Sequence, residues 1–117
     1  MQDFRNLKVW QKAHSLALLT YELTADFPRD ELFGLRHSMR KSAVDIPAYI
    51  AEGSGKQNDA DFSRSIATAQ SISSRLEYYA LMAFDLKMLS EESYNKLNDN
   101  LVEVKKMLGG FGRRLNN

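Results

Sequence analysis

Residues 45–57 read DIPAYIAEGSGKQ, and the two halves of that stretch argue for different architectures. The last five letters, Gly53-Ser54-Gly55-Lys56-Gln57, have the look of a phosphate loop, which sits between a strand and a helix. The first nine read as the end of a helix interrupted by Pro47. A Walker loop needs a glycine, four residues, then Gly-Lys followed by Ser or Thr. Five positions before Gly55 stands Ile50, and Gln57 replaces the hydroxyl residue that would hold magnesium. The helical reading wins. Gly53 is placed where a C′ glycine closes a helix through a left-handed turn, and the stretch becomes a connection between two helices. The amides opening the next helix could attract a phosphate only weakly.

Working outward, the apolar spacing predicts helices and no strands. Helix two runs from about Leu35 to Glu52, with Leu35, Met39, Ala43, Ile46 and Ile50 inward and a kink expected at Pro47. Asn58 and Asp61 resemble a capping box that opens helix three, from about Asp59 to Lys87. Its seam is Phe62, Ile66, Ala69, Ser73, Leu76, Ala80 and Ala83. Ser90 caps helix four, with Glu91 and Glu92 on its positive end. Tyr94, Leu97, Leu101, Val104, Leu108, Phe111 and Leu115 alternate spacings of three and four, the pattern of left-handed bundle packing. Gly109, Gly110 and Gly112 predict fraying or close packing near the end of that helix.

Helix one is expected from Asn6 to about Asp26, stopped by Phe27-Pro28. It carries nearly two apolar faces. Leu7, Trp10, His14, Ala17, Leu18 and Tyr21 form one; Val9, Ala13, Leu16, Leu23 and Phe27 form the other. The excess over the single stripe that a bundle helix needs predicts a subunit interface. The interface candidates are Leu16, Leu19, Leu23 and Phe27, joined by Arg75, Tyr78 and Met82 on an outer side of helix three. Arginine, tyrosine and methionine are favoured in interface centres. The expected fold is all-α: one domain over residues 1–117, an antiparallel up-down four-helix bundle assembling into a homo-oligomer.

The composition bounds the chemistry. The 117 residues include no cysteine, so thiolate chemistry and disulfides are excluded. Net charge is +1, with 16 basic and 15 acidic residues, so any affinity for nucleic acid must come from local clusters. Two clusters qualify: Arg36, Arg40 and Lys41, and the acid-free tail with Lys105, Lys106, Arg113 and Arg114. The two histidines lie on separate helices, His14 expected packed among apolar neighbours and His37 exposed. No Glu-x-x-His pair occurs, so no metal site and no cofactor are expected. Glu52, Asp45 and Lys41 read as an ion-paired surface strip. The opening MQDFRNLKVW lacks the pattern of a secretory signal, and no apolar run approaches the ~18 residues that a membrane span needs. A cytoplasmic protein without catalytic activity or small-molecule substrate is expected.

Three segments, FRNLKVWQKAHSLALLTYELTADFP, ELFGLRHSMRKSAVDIPAYIAEGSG and DFSRSIATAQSISSRLEYY, resemble the four-helix-bundle family of bacterial 23S rRNA intervening-sequence proteins. The most specific piece is Ile46-Pro47 followed by Ile50-Ala51-Glu52-Gly53. The resemblance implies antiparallel bundles assembled into ring-like homo-oligomers, commonly pentamers, with a basic surface suggested to face nucleic acid. A related bundle partners a reverse transcriptase and RNA. The chain departs from the family's polar pattern at Ser38, Asp45, Tyr49, Ser71-Ile72 and Arg75, where Asp45 opposite Arg75 would be a replacement pair. The expected function is a homo-oligomeric protein bound to RNA or a ribonucleoprotein; the alternative is an adaptor or accessory subunit, for example of a reverse transcriptase, without nucleic-acid contact.

Overall fold

The computed structural model describes residues 3–31 and 34–116. They form four helices, α1 (Lys8–Leu23), α2 (Leu35–Ser54), α3 (Asp59–Asp85) and α4 (Glu91–Asn116), with short 3-10 turns at Phe4–Asn6 and Arg29–Glu31. No strand occurs among the described residues. At 1.5 Å per residue, the 27 residues of α3 account for nearly all of the 43 Å long dimension. Sequence neighbours pack side by side, and α1 closes the bundle against α4, so α1 and α3 occupy opposite corners.

The seams of α2, α3 and α4 face one core. Met39, Ile46, Ile50, Leu76, Leu97, Leu101 and Leu108 are fully buried there. α2 passes through Pro47 as one helix, and Pro47 is buried. Asn58 Oδ1 accepts from the Asp61 amide at 2.9 Å, and Ser90 Oγ accepts from the Ser93 amide at 3.1 Å, so both helix starts fall where the side chains announced them.

α1 departs from expectation in a way that matters for assembly. Leu16, Leu19 and Phe27 are buried inside the chain, and Leu23 packs against the same core. They are not a free face. α1 lies between α2 and α4 and offers one flank to each, so two neighbours within the chain consume the wide apolar stripe. Thr20 and Thr24 turn inward as well, returning their hydroxyls to the carbonyls of Leu16 and Thr20 at 2.8 Å. The apolar residues left outside on α1 are Leu18 and Tyr21. His14, expected packed, is exposed and lies flat on Trp10, with ring centroids 4.8 Å apart.

Gly53 also has a different role from the one anticipated. It lies within α2, and among the described residues no glycine has a positive φ. A Cβ at position 53 would sit 2.7 Å from Phe62 Cδ1 and from Ser65 Cβ, so glycine is there to let α3 approach. The left-handed turn occurs after α3, at Lys87 (φ 64°). There the Lys87 amide donates to the Phe84 carbonyl at 2.9 Å and the Met88 amide to the Ala83 carbonyl at 2.8 Å, a Schellman closure.

Candidate functional site

The antiparallel arrangement sends the seven basic candidates to different parts of the bundle. Arg36, Arg40 and Lys41 open α2 at the end where α1 and α3 finish and α4 begins. Arg40 is occupied there. Its Nε donates to Thr24 Oγ1 at 2.9 Å, its Nη2 to the Tyr21 carbonyl at 3.0 Å, and the guanidinium lies 4.4 Å from the Tyr21 ring centroid. It thereby gives a donor to the Tyr21 carbonyl in the last turn of α1, where intrahelical partners run out. Lys41 pairs with Asp45 one turn on, at 3.1 Å. Arg36 is half-buried, and its Nε finds no partner among the described residues. Arg29 and Lys87 join these three, and around them stand Glu22, Asp26, Asp30, Glu31, Asp85, Glu91 and Glu92. Carboxylates outnumber cations at this end, so its field repels a polyanion.

The opposite end joins the start of α1, the α2–α3 turn and the end of α4. Lys105, part-way along α4, pairs with Glu77 at 2.9 Å. Lys106, Arg113 and Arg114 are exposed and make no salt bridge among the described residues. The Arg114 guanidinium lies 5.6 Å from the centroid of the Phe111 ring, which itself meets Phe62 edge-on. Lys8 and Lys56 come to the same end and were missed by the sequence reading, since neither belongs to the two clusters it selected. Asp3 and Asp61 are paired with Arg5 and Arg64 there, leaving Glu52 and Asp59 as the unpaired acids. Three of the seven candidates therefore gather beside two further lysines, and the rest belong to other networks.

Of the interface candidates, Arg75, Tyr78 and Met82 are exposed on α3, with Tyr78 at 59% of full exposure. Leu81 and Leu86 extend that stripe toward the end of the helix. Sequence reasoning did not single them out. A second exposed apolar group, Leu18, Tyr21 and Val44, lies on α1 and α2. Asp45 bonds Lys41 and not Arg75, which makes no salt bridge among the described residues, so the suggested replacement pair is not formed. No group of three or more His, Asp or Glu side chains that could hold a metal occurs among the described residues. No helix is long and apolar enough to cross a membrane.

The family model for the 23S rRNA-intervening sequence protein matches residues 5–110, nearly the whole of the bundle. The chain belongs to the 23S rRNA-intervening sequence protein family. A solved structure from Bacteroides thetaiotaomicron, a protein of unknown function from the S23 ribosomal protein family, is similar in fold: TM-score 0.79 and 22% identity, covering 88% of this chain and 96% of that one. No curated protein matches. For a 23S rRNA-intervening sequence protein, the surfaces above are where function must be sought, since the core is given over to packing.

Proposed function

We propose that this chain is a non-enzymatic, self-assembling protein of the cytoplasm that binds RNA, alone or within a ribonucleoprotein, through the end of the bundle where α4 finishes. The observation that carries the reading is the separation of charge. Lys8, Lys56, Lys106, Arg113 and Arg114, none in a salt bridge among the described residues, lie toward one end, while at the other the carboxylates outnumber Arg29, Arg36, Arg40, Lys41 and Lys87. A polyanion approaching such a molecule is steered to one pole. The family's description as an rRNA-intervening sequence protein agrees with this class of partner.

Assembly gives weak sites their strength. The two exposed apolar groups, Leu18/Tyr21/Val44 and Tyr78/Leu81/Met82/Leu86, are centred on α1 and α3, at opposite corners. Unlike patches on opposite sides favour a head-to-tail contact, which closes into a ring when the rotation allows. The family resemblance makes five copies the expected number. A ring repeats the basic pole once per copy and converts a modest single-site affinity into avidity.

The test is binding of nuclease-treated protein to a labelled structured RNA across a salt series, with native mass measured alongside. Each phosphate contact should add about 0.7–0.9 to the slope of log affinity against log salt. Arg113→Ala with Arg114→Ala should weaken binding and flatten the slope, whereas Arg40→Ala should lower the melting temperature and leave affinity unchanged. Absence of binding at low salt would leave the exposed stripe on α3 as the functional surface, and the adaptor reading would stand in its place. A monomer at micromolar concentration would remove the ring.

A further inference from the structure

Two grooves flank the last turns of α4, one against the start of α1 and one against α3, with volumes of about 430 and 250 Å³. Among the described residues no Asp or Glu side chain lines either one. Two further hollows on the surface each contain one, Asp85 in the first and Glu77 in the second. The groove beside α1 presents Lys8 and Arg114; the groove beside α3 presents Arg113, Gln70 and Asn116. Both offer hydrogen-bond donors and positive charge, and an anionic occupant complements them.

Between the two grooves α4 has no side chain of its own at Gly109 and Gly110, and the Arg113 guanidinium lies beside both. Lys106 and Arg113 are seven residues apart, two helical turns or about 10 Å along one face. The turn between them on that face is occupied by Gly109 and Gly110. A Cβ at Gly110 would meet nothing closer than Arg113 Nη2 at 3.9 Å, and one at Gly109 would meet the movable Gln70 amide at 3.3 Å. Packing within the chain thus makes no demand for glycine at 110, although an interior glycine weakens a helix. What glycine does provide is close access to the backbone between two cations.

The geometry points to a single RNA strand crossing α4 at Gly109 and Gly110, with its phosphates seated in the two flanking grooves and held by Lys106, Arg113 and Arg114. This rests on the RNA reading above and supplies its site. A polyanion with charge repeated along its length matches cations placed on both sides of a bare turn. An acidic peptide would need side-chain pockets on the crossing itself, and a helix turn without side chains has none.

The experiment measures binding of a labelled single-stranded oligouridylate to the full chain by fluorescence anisotropy over a salt series. Gly110→Gln fills the crossing without changing charge; it should weaken binding about tenfold with an equal or higher melting temperature and unchanged native mass. Arg114→Ala should weaken binding and reduce the salt slope by about 0.7. Wild-type affinity in Gly110→Gln, with loss in Arg113→Ala and Arg114→Ala, would overturn the crossing and leave the RNA reading intact. A wild-type protein that fails to bind would remove both. Loss of binding accompanied by loss of assembly would assign the turn to a contact between copies and overturn the inference, as would equal affinity for polyglutamate. Gly110→Ala, a smaller change, should weaken binding less than Gly110→Gln if the strand lies against the backbone.

Discussion

The turn between α2 and α3 and the turn between α3 and α4 invert the usual role of glycine. Gly53 stands in the last turn of α2 and Gly55 opens the connection to α3, and neither has a positive φ. The second turn adopts the left-handed conformation at Lys87, where a glycine would be unstrained. Glycine at position 53 answers a problem of distance, since α3 comes against α2 at Phe62 and Ser65. Lysine in the second accepts a conformational cost and places its charge beside the negative end of α3. A glycine in a turn is therefore evidence about either angle or distance, and only the neighbouring helix says which.

Substitutions can break that contrast. Gly53→Ala should have the largest effect, a loss of about 1–3 kcal/mol, because its methyl would overlap the buried Phe62 ring and the Cβ of buried Ser65. Thermal or urea unfolding would read it; a change below about 0.5 kcal/mol would mean that α3 shifts freely. Asn58→Ala removes the side chain that starts α3 and should cost about 1 kcal/mol by the same measurement. Lys87→Gly should act in the opposite direction, stabilising by up to about 1 kcal/mol as the left-handed penalty is relieved. Destabilisation there would show that the lysine side chain contributes more than its backbone costs. Gly55→Ala should change least, within about 0.5 kcal/mol of zero, since φ is −86° and the nearest atom to an added Cβ is the Glu52 carbonyl oxygen at 3.5 Å.

The fold was legible because three helices carry single, regular seams. The spacing of Leu97, Leu101, Val104 and Leu108 admits one inward direction, and local side chains such as Asn58 and Ser90 mark where helices begin. The reading failed at α1, where two faces are apolar and sequence cannot tell whether the second is covered by the same chain or by another copy. Leu16 and Leu23 belong to the chain's own core, and Leu18 and Tyr21 remain outside. The candidate site was legible in part. Clustering in sequence found Arg113 and Arg114, but it also selected Arg40, whose three contacts to α1 arise between residues 16 and 19 positions apart. It overlooked Lys8 and Lys56 for the converse reason: neither has another cation next to it in the chain, and each joins the pole only when four helix ends meet.

The way α1 closes the bundle has a kinetic consequence. Three of the four helix interfaces join sequence neighbours, so most of the structure can form by short-range zippering, with little loop entropy lost at each step. The α1–α4 seam alone joins the two ends of the chain, and it is the thinnest of the four, bridged by the solvent-exposed pair Lys12–Glu103 at 3.1 Å. Closure of that seam is the late event in folding, and its opening is the least expensive excursion of the native state. Amide protons of α1 should exchange through such partial openings, while those in the middle of α3 wait for the whole molecule to unfold.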